Sequence, residues 1–94
     1  MLVLITYDVS TVDPSGTKRL RKVARACEDY GLRVQNSVFE TRIDGKNWIL
    51  LKSRLLKIID QKLDSLRFYF LDKDIEIEHY GTKQPVNLEE PLIL

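Results

Sequence analysis

Leu2-Val-Leu-Ile-Thr-Tyr7 is a run of aliphatic, β-branched and aromatic positions that ends on a carboxylate, Asp8. With so little polar alternation it predicts a central strand buried on both faces. Asp13-Pro14-Ser15-Gly16 reads as a turn, and a helix is expected from about Thr17. Leu20, Val23, Ala24 and Cys27 then recur at i, i+3, i+4 and i+7 as one apolar stripe. Gly31 is expected to end this helix as its C-cap.

Residues 32–43 are strand-like, but Asn36-Ser37 interrupts them. Asn tolerates the left-handed backbone of a tight hairpin, so two short strands are expected, 32–35 and 38–43. The pattern predicts a second helix over 46–61, with Trp48, Leu51, Leu55, Ile58 and Ile59 facing inward. Residues 65–71 alternate Leu66, Phe68 and Phe70 against Arg67, Tyr69 and Leu71, a strand with one well-buried face. Asp72-Lys73-Asp74 reads as a turn. Ile75 and Ile77, alternating with Glu76 and Glu78, predict one more strand.

This order predicts an α+β ferredoxin-like βαββαβ sandwich with an extra C-terminal strand. The expected division is a domain over 1–80 and a tail or strand over 81–94. Both helices should cover one face of the sheet. Nothing in the chain is left to cover the other, so a homodimer is expected. The terminal segment could add to the partner's sheet edge.

Ninety-four residues make one small domain. Such a chain buries only about two thirds of its unfolded surface, a second reason to expect a dimer. No apolar run is long enough to cross a bilayer, and the opening run lacks a basic leader and cleavage site. A single cysteine, Cys27, excludes an internal disulfide or a cysteine zinc cluster. A cytoplasmic protein without membrane contact is expected. The net charge is only +1, but it is unevenly spread. Lys18, Arg19, Arg21, Lys22 and Arg25 crowd the first helix, whereas Asp72, Asp74, Glu76, Glu78, Glu89 and Glu90 crowd the last quarter.

Asp8 is the leading candidate for chemistry. A hard divalent ion takes oxygen ligands and keeps several waters, so one or two carboxylates suffice. Two Asp8 residues facing each other across a dimer axis would hold magnesium, or manganese, with one acid per chain. The alternative is a turn-capping Asp. Ser10 is a weak ligand or water-holder, and Asp13 more naturally starts the Asp-Pro turn. The five cations of the first helix could contact phosphates, or simply be solvated. Phe39 could stack on a base, although its strand position favours packing. Tyr7 should point away from Asp8, and Arg33 is a further supporting candidate. His79 is weak evidence for a general base, and Cys27 belongs to the core stripe.

Tyr7-Asp8, Lys18-Arg-Leu-Arg-Lys-Val23 and Gly31-Leu-Arg-Val-Gln-Asn-Ser-Val-Phe-Glu40 together resemble the small CRISPR-associated adaptation protein family, "Cas-two". Leu50-Leu-Lys-Ser-Arg-Leu-Leu-Lys-Ile-Ile59 and Asp64-Ser-Leu-Arg-Phe-Tyr-Phe70 look like its type I-C branch. The resemblance implies a ferredoxin-like homodimer whose terminal strand crosses to the partner. It implies Asp8 of both chains at the interface, binding magnesium, and work with the larger adaptation integrase in capturing spacers. Metal-dependent endonuclease activity on single-stranded RNA or duplex DNA is implied, or else a scaffold for duplex DNA. One departure is Ser10, where many relatives carry a second acid, so Asp8 would depend on its dimer mate. Two facing carboxylates repel, so metal occupancy should depend on pH and on closure of the dimer. A ferredoxin-like dimer with no CRISPR role is the remaining reading, because this fold hosts many functions.

Overall fold

The computed structural model describes residues 1–82, so most of the expected 81–94 tail lies outside the described residues. Its elements are β1 (Leu2–Asp8), α1 (Pro14–Glu28), β2 (Leu32–Gln35), β3 (Val38–Arg42), α2 (Gly45–Ile58) and β4 (Ser65–Leu71). The strands form one antiparallel sheet in the order β2-β3-β1-β4, which puts β1 in its interior. This is the ferredoxin-like arrangement that the element order predicts.

Side chains alternate across the sheet. Val3, Ile5 and Tyr7 of β1 and Phe39 of β3 are buried with Val23, Ala26 and Cys27 of α1 and Trp48, Leu51 and Leu55 of α2. Both helices therefore cover this face. Trp48 meets Phe68 edge-on, with ring centroids 4.7 Å apart. The opposite face carries Leu4, Thr6 and Asp8, with Glu40, Tyr69, Val38, Arg67 and Ser65 across the ladders. On that face Leu2 is buried, Leu4 and Thr6 are half-buried and Asp8 is exposed, so among the described residues β1 is covered along its whole length only on the helix side.

Several boundaries differ from expectation. Asp13-Pro14-Ser15-Gly16 is the start of α1 rather than a turn before it. Asp13 is the N-cap, accepting from the Gly16 amide at 2.8 Å, and Pro14 opens the helix. Proline is favoured there because that position needs no N–H donor. Asp44 caps α2 in the same way through the Asn47 amide. Helix α1 ends at Glu28 with Asp29 as its cap, so Gly31 is not a left-handed C-cap. Glycine is needed at Gly31 because a Cβ would run into the Thr41 side chain and the Glu40 carbonyl. Helix α2 stops at Ile58, three residues earlier than expected. The expected strand at 75–78 is absent: residues 73–80 form no helix or strand, and Ile75 and Ile77 are exposed. Their alternating pattern finds no sheet edge within the described chain.

Candidate functional site at the exit of the central strand

Asp8 is the last residue of β1 and pairs with Ser65, the first residue of β4. Its side chain is exposed on the helix-free face and makes no hydrogen bond or ion pair with the described residues. Tyr7 points to the opposite face, where burial raises its hydroxyl pKa. Its ring stacks on Phe39, and its hydroxyl donates to the Asn36 carbonyl at 3.3 Å. Phe39 is wholly buried, so it does not stack on a base: the strand register turns its ring into the core. Arg33 lies over the Phe39 ring and pairs with Glu28 at 3.1 Å. Asp13 is occupied as a helix cap. Hydrogen bonds from Ser15 and the Gly16 amide hold its carboxyl pKa below the usual range.

Immediately beyond Asp8 the chain is fixed by a residue that the sequence pattern does not single out. The Asp64 side chain is fully buried. One oxygen accepts from the Ser10 amide at 3.0 Å and from Arg19 Nη2 at 3.3 Å. The other accepts from Arg19 Nε at 2.9 Å and from the Asp60 amide at 2.8 Å. The Arg19 bonds hold the Asp64 pKa below its ordinary value, and Asp64 in turn raises that of Arg19. Arg19 also donates to Ser15 and to the Ser10 carbonyl. The guanidinium placed among the phosphate contacts from sequence is thus turned into an internal cluster, with 14% of its side chain exposed. A charged pair is hard to see in sequence when its members are 45 residues apart.

The remaining α1 cations do come together, but with help from α2. Lys18, Lys22 and Arg25 line a groove of about 560 Å³ with Arg19, Arg54, Lys57 and Ile58. Arg54 and Lys57 were not expected there, although their spacing of three on a helix is a legible signal. Arg54 pairs with Asp29 at 2.7 Å. Arg21 is exposed but stands outside the groove lining. The groove belongs to the helix layer, and Asp8 to the other side of the sheet.

Asp8 offers one free oxygen ligand of the kind a hard divalent ion takes. The carboxylate is exposed and unpaired, whereas both Asp64 oxygens are already used. Among the described residues no three His, Cys, Asp or Glu side chains stand together as a ligand set. No described helix is long and apolar enough to cross a membrane.

Comparison with known proteins agrees with this geometry. The family model for CRISPR associated protein Cas2 matches residues 1–75. A Rhodospirillum rubrum protein named CRISPR-associated endoribonuclease Cas2 3 is 55% identical over 95 residues, covering 99% of this chain and 100% of that one. A Halalkalibacterium halodurans protein named CRISPR-associated endonuclease Cas2 is also 55% identical, covering 99% of each chain. The crystal structure of Streptococcus pyogenes Cas2 at pH 6.5 superposes with a TM-score of 0.77 at 53% identity, covering 86% of this chain and 100% of that one. A Thermus thermophilus structure gives a TM-score of 0.71 at 31% identity, covering 89% and 95%. From its strand order, from the acid that closes its central strand and from these matches over nearly its whole length, this chain belongs to the Cas2 family of CRISPR-associated proteins.

Proposed function

We propose that this chain is a cytoplasmic CRISPR adaptation nuclease, acting as a homodimer in which Asp8 of each copy forms a magnesium or manganese site. The observation that carries the reading is the state of Asp8. Among the described residues it is exposed, unpaired and held at the end of an interior strand, on the sheet face that neither α1 nor α2 covers. A second copy seated on Leu4, Val38 and Tyr69 would bury that face and bring two carboxylates together. The relatives named endoribonuclease and endonuclease support phosphodiester cleavage. A bound ion supplies a more acidic water and offsets charge on the leaving oxygen. The protein's own part is to hold the two acids still, exclude bulk water at the interface and keep the substrate phosphate nearby.

Wild type and Asp8→Asn, matched for dimer content, are compared on labelled single-stranded RNA and duplex DNA with magnesium, manganese or chelator. Cleavage that needs metal and disappears in Asp8→Asn is the expected result. Equal cleavage by both proteins overturns the proposal.

The position of the groove favours a second reading. Its cations stand on the helix layer, away from the Asp8 face, as suits a scaffold that holds nucleic acid without cutting it. In that reading the exposed acids Asp72, Asp74, Glu76 and Glu78 would dock the basic adaptation integrase. Binding would then fall steeply with salt and survive Asp8→Asn.

A further inference from the structure

We infer that Asp64 is a positioning residue for Asp8, acting through Ser10 and Arg19; this rests on the reading of Asp8 as the acid that serves cleavage. Asp64 brackets Asp8 from two sides. It immediately precedes Ser65, the ladder partner of Asp8. It also takes the amide of Ser10, two residues beyond Asp8. Arg19 completes the clamp from α1, with Nε and Nη2 on Asp64 and Nη2 also reaching the Ser10 carbonyl. The Asp60 amide ties the start of the α2–β4 connection to the same carboxylate. Three segments therefore meet on one side chain: the exit of β1, the first turns of α1 and the α2–β4 connection, whose last residue is Asp64 itself.

Gly16 tightens the same corner. A Cβ there would overlap the Ser10 carbonyl, so the loop leaving Asp8 lies directly on the first turn of α1. The exit of β1 has little room to move unless the Asp64 cluster opens. An exposed carboxylate with no partner of its own needs such support, because an acid that swings freely seldom occupies its productive position. A displacement of about 1 Å from that position can cost about a hundredfold in rate.

Arg19 is thereby set apart from its basic neighbours. As a phosphate contact, Arg19 would act on substrate affinity, as Lys22 and Lys57 do in the groove reading. As part of the clamp, it acts on turnover together with Asp64. The test compares Asp64→Ala, Asp64→Asn and Arg19→Lys with wild type as folded dimers. Residue-resolved amide exchange reports the clamp, and steady-state RNA cleavage reports its consequence. In Asp64→Ala the Ser10 and Asp60 amides should exchange at least about tenfold faster, while Val3 and Ile5 keep their rates. Its kcat should fall about ten- to a hundredfold with KM within about twofold. Asp64→Asn keeps a side-chain acceptor and should lie between Asp64→Ala and wild type, a partial rescue. Should Asp64→Ala fail to fold, Asp64→Asn and Arg19→Lys carry the same comparison.

Unchanged protection of Ser10 overturns the inference, as does lost protection with normal kcat. A rise in KM in place of a fall in kcat returns Arg19 to the phosphate contacts and also overturns it. Asp8→Asn runs alongside. If it cleaves normally, the reading of Asp8 fails and the inference falls with it. If it is dead while the Asp64 variants turn over normally, only the inference fails.

Discussion

The two faces of the sheet are built on opposite rules. Beneath the helices, Val3, Ile5, Phe39, Leu51 and Leu55 are fully buried, and the outer surface of that layer gathers cations into a groove. On the other face, half-buried Leu4, Thr6 and Val38 lead to Asp8, an acid without a partner among the described residues. The helix side packs its core among the described residues and holds its charges outward. The other side is the one the proposed dimer would close. The contrast teaches that binding and cleavage need not share a surface in this protein, and it gives each face its own set of expected failures.

The largest expected effect comes from the helix side. Phe39→Ala should lower stability by about 3–5 kcal/mol, a large share of the roughly 5–15 kcal/mol of a typical domain. Denaturant unfolding measures it. The protein that remains folded should bind RNA normally, since the ring cannot reach a base. Weaker binding without a loss of stability would show that Phe39 serves the ligand.

Charge reversal of the groove comes next. Lys22→Glu with Lys57→Glu should weaken nucleic-acid binding by at least about tenfold. The salt slope should become shallower by roughly 0.7–0.9 for each phosphate that is no longer neutralised. Cleavage at saturating substrate should stay near wild type. A fall in kcat with unchanged affinity would erase the distinction between the faces.

Acid should act through Asp64, whose pKa is held below its ordinary value chiefly by Arg19. A depressed carboxylate contributes stability above its unfolded pKa of about 3.9 and loses it as pH falls through the lower folded value. Thermal melts from about pH 6 to about pH 2.5 should therefore show an acid-dependent loss that Asp64→Asn reduces. Asp13, also depressed, acts in the same direction and leaves a residual slope. The smallest effect concerns Cys27. Its thiol is buried, and burial pushes its pKa up to about 12. A thiol reagent at about pH 8 should leave the native protein unlabelled and label it at the rate of unfolding.

Much of the fold was legible because each element states its own period. The run into Asp8, the stripe of Leu20, Val23, Ala24 and Cys27, and the break at Asn36-Ser37 all speak locally. Sequence and structure part where one local signal serves two purposes. Asp13-Pro14 fits a turn and a helix N-terminus equally well, and only the Gly16 amide bond decides between them. Ile75 and Ile77 alternate like a strand, but alternation cannot supply a neighbouring edge. At the site, the position of Asp8 was visible in the sequence, since a strand that ends on an acid delivers it to a surface. The Asp64 clamp was not, because it joins residues 45 and 54 positions apart. Nor did the sequence show that Arg19 is tied to Asp64 where it lines the groove, or that Arg54 and Lys57 join the same lining.

The most direct test of the two-face account measures cleavage and affinity on one RNA for Asp8→Asn and for the Lys22→Glu, Lys57→Glu double variant, with dimer content matched. The account predicts a crossed result: Asp8→Asn binds normally and does not cut, and the double variant binds poorly yet turns over normally when saturated. Both activities failing together in either variant would contradict it.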